Sequence, residues 1–167
     1  ATIEKERFSL WDYGGQKDFH VTHSWFIASE RAAYLLCFDL SLEEAEQDEA
    51  VWYWLRFINL CATNECRIAL LGTHADKVKN PQGVCERVLN KMREEMRTCE
   101  CKLVKVEGCF AVDAFEWNHK GTAALRNWLQ ETCQQIRQGF EVPALCQEVT
   151  KRMSRLRTHG QSFYAIT

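Results

Sequence analysis

Runs of apolar residues along the chain predict the strands of a parallel β-sheet. Residues 32–38 are continuously apolar, as expected of a strand that is covered on both faces, and residues 67–72 and 108–112 repeat the pattern more briefly. Residues 8–12 alternate and then enter Gly14-Gly15, which predicts an earlier strand that ends in a loop.

Segments with helical periodicity lie between these strands and after the last of them. Apolar residues recur at the spacing i, i+3, i+4 and i+7 in residues 51–58, and similar stripes occupy residues 85–96 and 125–136. Pro143 opens a fourth predicted helix after a junction, because the first helical turn tolerates the missing N–H of proline. Alternating strands and helices predict an α/β domain.

Composition places the chain among globular proteins. A length of 167 residues fits one domain with the first helix of a neighbour, and six Trp and nine Phe supply a core. The chain has 21 basic and 23 acidic residues, so its net charge is close to zero and does not indicate a nucleic-acid partner. The longest apolar run is too short to cross a bilayer, so we expect no transmembrane segment.

The cysteines indicate the compartment. Nine Cys is an odd number, and several fall on predicted helix or strand faces. Residues 1–7 lack the apolar core of a secretory signal. We therefore expect reduced thiols and a cytoplasmic location rather than a disulfide framework.

The segment Trp11-Asp12-Tyr13-Gly14-Gly15-Gln16 is the strongest local motif. An Asp at the end of a parallel strand lies where open α/β sheets bind ligands, and its oxygens can hold Mg²⁺ through a water. A Gly three residues later lets a backbone N–H approach a terminal phosphate, and an amide such as Gln16 can orient an attacking water. The alternative is a plain strand and turn, since Asp and Gly are common turn residues.

Two further motifs follow later strands. Asp76, in Thr73-His74-Ala75-Asp76, can accept two hydrogen bonds from guanine, a donor pair that adenine lacks. Val112-Asp113-Ala114 follows the last strand, and its backbone N–H groups could meet the guanine O6. Alone, Asp76 could equally be the N-cap of a helix.

A metal or redox module built on the cysteines is the weakest hypothesis. Cys99-Glu100-Cys101 has too short a spacing for a zinc knuckle, and no Cys or His pair follows at the usual interval. Two ordinary thiols beside a strand explain this segment better.

With these motifs in hand, the chain resembles a Roc domain, the Ras-like GTPase module of the Roco proteins. The resemblance covers about residues 7 to 137, and the Thr-His-x-Asp form at residues 73–76 is typical of Roc domains. The remaining residues that carry it are Leu10 to Gln16, Phe19, Thr22-His23, Phe26, Ala33-Tyr34-Leu35, Asp39-Leu40-Ser41 and Gly72. From Val142 onward the sequence resembles the start of the COR dimerisation domain that follows Roc.

The resemblance implies a role for each matched position. Asp12 belongs to the Mg²⁺ shell, Gly15 contacts the γ-phosphate and Gln16 positions the catalytic water. Asp76 gives guanine specificity and Ala114 a backbone contact to the base, with GTP or GDP as the ligand. Thr73 and His74 replace the Asn and Lys that usually brace the base.

The phosphate-binding loop is the main departure from the family pattern. No G-x-x-x-x-G-K-[ST] motif occurs in the sequence, and in this family it precedes the strand near Phe8. The family's strand order is 2-3-1-4-5-6. The strand that leads into the phosphate-binding loop would therefore lie between the Phe8 strand and the Ala32 strand. We therefore expect this sequence to be a fragment of a longer protein. Residues 1–138 would form a partial P-loop-NTPase-like, doubly wound sheet. Residues 139–167 would be a linker and the first helix of a COR-like domain.

Two functions compete for this sequence. The first is a regulatory switch in a multidomain signalling protein that binds and slowly hydrolyses GTP, with homodimerisation through the COR region and further protein partners. The second is a catalytically inactive pseudo-GTPase that acts as a scaffold or dimerisation module. We expect the fragment alone not to hydrolyse GTP.

Overall fold

A computed structural model describes residues 2–3, 6–7, 10–14, 32–99, 101, 103–116, 119–138, 146, 148–149 and 151–153. The chain divides into two compact units, residues 1–134 and residues 135–167. The predicted domain boundary after residue 138 stays a prediction.

The first unit is built on a three-stranded parallel sheet. Its strands are β3 (Ala33–Asp39), β4 (Cys66–Thr73) and β5 (Val104–Ala111), in the spatial order β3-β4-β5. Two short strands, β1 (Thr2–Ile3) and β2 (Glu6–Arg7), pair with each other in an antiparallel sheet. The parallel order agrees with the mixed α/β fold expected from the sequence and with a partial P-loop-NTPase-like Roc fold.

Three long helices accompany the sheet. They are α1 (Glu44–Cys61), α2 (Pro81–Thr98) and α3 (Lys120–Gln138), each at a predicted position. Glu43 and Glu46 form a capping box at the start of α1. Pro81 follows the N-cap Asn80, whose side chain accepts a hydrogen bond from the Gly83 N–H at 3.1 Å.

The core lies between the sheet and the first two helices. α1 packs on β3 and on α2, and α2 packs on β5. The largest fully buried apolar side chains are those of Val51, Leu55, Ile68, Leu70, Val88 and Met92. Since burial of each such side chain stabilises the fold by about 1.5–3 kcal/mol, the continuous apolar runs of the strands account for this core.

Two predicted strands need correction. Residues 10–12 are coil, with Leu10 and Trp11 mostly exposed, so the predicted strand over residues 8–12 is wrong there, while residues 8–9 lie outside the described part. A strand needs a hydrogen-bonded neighbour, and none of the described residues pairs with this segment. The last strand begins at Val104 rather than at Gly108, because Val104 and Val106 are also buried.

In the second unit, residues 146, 148–149 and 151–153 are helical, in agreement with the fourth predicted helix, although Pro143 lies outside the described residues. Across the part of the chain that the structure describes, no helix is both long and apolar enough to span a membrane. All nine cysteines are free thiols.

Candidate functional site

The carboxyl ends of the three parallel strands lie level at one edge of the sheet. Asp39 of β3 is in register with Thr73 of β4, and Gly72 of β4 is in register with Ala111 of β5. The predicted base-reading segments therefore leave the sheet at the same edge. This is where open parallel sheets place their ligands.

Gly72 lets the loop after β3 fold over the end of β4. A Cβ atom at Gly72 would come within 2.7 Å of the Leu40 side chain, which is only 2% exposed. The Leu40 N–H donates to the Thr73 carbonyl oxygen at 3.1 Å, and the Thr73 hydroxyl donates to the Phe38 carbonyl oxygen at 3.1 Å. These contacts join Thr73, the last residue of β4, to the carboxyl end of β3.

After Thr73 the chain makes a tight 3₁₀ turn over Ala75–Lys77. His74 precedes it in the left-handed region, with φ 59° and ψ 39°, and the Lys77 N–H donates to the His74 carbonyl oxygen at 3.1 Å. Asp76 lies within the turn and is exposed, whereas Ala75 beside it is buried. Burial of Ala75 thus anchors the turn on the core, and the Asp76 side chain lies on the surface.

Backbone hydrogen bonds join this turn to the loop after β5. The Ala75 N–H donates to the Val112 carbonyl oxygen at 3.2 Å, and the Val112 N–H donates to the Gly72 carbonyl oxygen at 2.8 Å. Beyond them, the Asp113 carboxylate accepts from the Phe115 N–H at 2.8 Å, and Ala114 is exposed. The structure therefore brings together two of the predicted base-binding segments, residues 73–76 and 112–114.

Asp39 is a member of this cluster that the sequence motifs did not identify. Its Oδ1 accepts hydrogen bonds from the backbone N–H and the hydroxyl of Ser41, at 2.8 and 2.7 Å, and lies 3.1 Å from His74 Nδ1. The Ser41 hydroxyl is the largest cause that lowers the pKa of Asp39, and His74 adds to it. The sequence signal that could have identified Asp39 is the run Asp39-Leu40-Ser41, because an Asp with a Ser two residues later often closes a turn.

The phosphate side of the predicted site is only partly described. Gly15 and Gln16 lie outside the described residues. Asp12 is exposed in coil, and its charge is the second cause, after loss of hydration, that raises the pKa of Cys37 in β3. Among the described residues, His74 forms its ion pair with Asp39 and not with Asp12.

The side chains present fit the proposed ligands chemically. Exposed carboxylates at Asp76 and Asp12 are suitable acceptors for a guanine edge and for a hydrated Mg²⁺ ion, respectively. Over the described ranges, no group of three His, Cys, Asp or Glu side chains could hold a metal ion.

Comparison with known proteins bears on the amino-terminal part of the chain. Residues 1–76 match the family described as Ras of Complex, Roc, domain of DAPkinase. The match ends at Asp76, so it includes both the Asp12 motif and the Thr73–Asp76 segment. Residues 1–76 are therefore similar to a Roc domain.

Curated proteins that are similar to this chain include three from Dictyostelium discoideum. The probable serine/threonine-protein kinase pats1 is 29% identical over 136 residues, which is 81% of this chain and 4% of that protein. The probable serine/threonine-protein kinases roco5 and roco11 are 37% and 38% identical over 73 and 74 residues. Each of these two matches covers 44% of this chain, and 2% and 5% of the respective relatives. The chain thus spans only a small fraction of the length of each relative that it matches. No solved structure matches it significantly.

Proposed function

We propose that this chain is part of a GTP-binding domain that binds and slowly hydrolyses GTP as a regulatory switch. The observation that carries the proposal is the hydrogen bond from the Ala75 N–H to the Val112 carbonyl oxygen, at 3.2 Å. It holds the Thr73–Asp76 turn beside the Val112–Ala114 loop at the carboxyl ends of the parallel strands, where open sheets of this kind usually bind ligands. A guanine base needs both loops at once.

Guanine selectivity is assigned to Asp76. Its carboxylate would accept hydrogen bonds from the N1–H and the exocyclic amine of guanine, each worth about 1.5–3 kcal/mol because the acceptor is charged. Adenine offers no such donor pair and would leave the carboxylate unpaired. Ala114 would supply a backbone N–H to the guanine O6, and Thr73 and His74 would flank the base.

Hydrolysis is assigned to the segment around Asp12. Asp12 would hold Mg²⁺ through a water, Gly15 would approach the γ-phosphate through its backbone N–H, and Gln16 would orient the attacking water. Mg²⁺, when bound, neutralises charge on the phosphates. Without an arginine supplied by a partner, turnover of such a site is on the order of 10⁻⁴ to 10⁻² per second.

The parent protein is proposed to be a multidomain cytoplasmic signalling protein. The Dictyostelium relatives are far longer than this chain and are named as probable kinases. The phosphate-binding loop would lie upstream of Ala1, and the COR-like segment from Val142 would mediate homodimerisation. Other protein partners would read the nucleotide state.

The test is a titration with fluorescently labelled GDP and Mg²⁺ of the chain extended by the residues that precede it in its parent. We expect unlabelled GDP and GTP to displace the label and ATP not to do so, with slow release of phosphate from GTP. Displacement by ATP at the same concentration would contradict the assignment of Asp76. Selective binding without any phosphate release would favour the scaffold alternative over the hydrolysing switch.

A further inference from the structure

His74 and Asp39 form a contact between two strand ends that neither guanine recognition nor hydrolysis requires. His74 Nδ1 lies 3.1 Å from Asp39 Oδ1 and 3.3 Å from the Thr73 hydroxyl oxygen. The side chains are 42% and 30% exposed, so the pair lies at the surface of the ligand-binding edge. It joins β3 to the turn that carries Asp76.

The backbone of His74 is held in an uncommon conformation. It is the one residue other than glycine with a positive φ, 59°, among the described residues. The left-handed region is unfavourable for a residue with a Cβ atom, and such a conformation persists where the surrounding structure over-determines it. Two contacts constrain His74 here. Its carbonyl oxygen accepts from the Lys77 N–H, and its ring meets the Asp39 carboxylate.

The hydrogen-bonding groups around Nδ1 determine where the imidazole proton lies. A carboxylate can only accept, so the 3.1 Å approach of Asp39 Oδ1 favours the tautomer whose proton lies on Nδ1. The Thr73 hydroxyl already donates its proton to the Phe38 carbonyl oxygen, at 3.1 Å, and therefore presents a lone pair to Nδ1 as well. In the neutral ring the other nitrogen, Nε2, then carries the lone pair.

We propose that Asp39 is a positioning residue that fixes the ring and the tautomer of His74 before the nucleotide arrives. This inference rests on the proposed guanine site. A ring held in advance loses no rotamer freedom on binding, so it braces the nucleotide at low entropic cost. Asp39 thereby increases the affinity for a guanine nucleotide, while the choice of base stays with Asp76.

The ring assignment is tested by ¹⁵N NMR of the imidazole nitrogens in this chain without nucleotide. We expect wild-type His74 to give the spectrum of a ring protonated at Nδ1, and Asp39→Ala to give averaging between the two tautomers. Asp39→Asn keeps an acceptor oxygen and should retain most of the Nδ1–H signal. Ser41→Ala is the matched control, because it removes a hydroxyl that donates to the same carboxylate and keeps the Asp39 carboxylate itself. A wild-type ring protonated at Nε2 would overturn the inference.

The positioning role is tested by the affinities for GDP and for IDP, the analogue that lacks the exocyclic amine, in the extended chain. Asp39→Ala should weaken both by about tenfold and leave their ratio unchanged, with partial rescue by Asp39→Asn. Unchanged GDP affinity in Asp39→Ala, or a changed ratio, would reject the role while the proposed function stands. Absence of guanine-nucleotide binding in the wild type would instead reject the proposed function, and the positioning role with it.

Discussion

The Ala75 N–H donates to the Val112 carbonyl oxygen, and this bond joins loops that are 37 residues apart in sequence, since 112 − 75 = 37. The Val112 N–H in turn donates to the Gly72 carbonyl oxygen of β4 at 2.8 Å, so Val112 is bonded both to β4 and to the turn that follows β4. A ligand that meets both loops therefore meets a surface that is already assembled. Changes to residues that support this edge should affect stability and ligand binding together.

Gly72 supports the edge by its lack of a side chain. We expect Gly72→Ala to destabilise the fold by about 1–3 kcal/mol, because the new Cβ would overlap the buried Leu40 side chain, 2.7 Å away. Urea unfolding followed by tryptophan fluorescence measures this change. Gly108→Ala is the matched control: its Cβ would approach the Phe110 ring at 3.2 Å, so its cost should be smaller. Equal costs for the two variants would contradict the role given to Leu40.

Asp48 of α1 holds the first two helices together through two cations of α2. Arg87 Nη1 donates to its carboxylate at 2.8 Å and Lys91 Nζ at 2.6 Å, while the residue is 8% exposed. We expect Asp48→Ala to cost about 3 kcal/mol, because Arg87 would remain partly buried without this partner. Thermal unfolding of the variant, with the exposed Glu94→Ala as control, measures the loss. A cost no larger than that of Glu94→Ala would show that the pair is not stabilising.

The same carboxylate predicts how stability depends on pH. Burial acts to raise the pKa of Asp48, but the hydrogen bonds from Lys91 and Arg87 outweigh it, and the folded-state pKa lies below the usual value. Its contribution is therefore fully present above the unfolded pKa of about 3.9 and is lost as the pH falls through the folded pKa. Asp48→Asn should reduce this acid dependence. An unchanged slope of unfolding free energy against pH below about 4 would contradict the assignment.

Much of the first unit could be predicted from the sequence, because its strands and helices carry strong periodic signals. The run around Leu35-Leu36 predicted β3 and the stripe around Val88 predicted α2, since each pattern matches one burial geometry. The segment at Leu10-Trp11 showed only brief alternation. A strand there also depends on a neighbouring strand, which a local pattern does not report.

The candidate site was predicted only where a loop carries a motif. Asp76 stands in a recognisable Thr-His-x-Asp segment and is exposed in the structure, and its role in guanine binding stays a prediction. Asp39 lies 35 residues before His74, since 74 − 39 = 35, and meets it only through the register of β3 with β4. No spacing rule within one segment reports such a contact. The roles of Gly15 and Gln16 stay predictions, since both residues lie outside the described part of the chain.

If Asp76 recognises guanine, replacing its carboxylate should change which purine nucleotide the domain prefers. The measurement is the ratio of GDP to XDP affinity for the wild-type extended chain and for Asp76→Asn. Xanthine presents a carbonyl where guanine presents an amine, so the asparagine amide can donate to it where the carboxylate cannot. We predict that the wild type prefers GDP by at least about 100-fold and that Asp76→Asn prefers XDP. A variant that folds, binds GDP as tightly as the wild type and still rejects XDP would contradict the account.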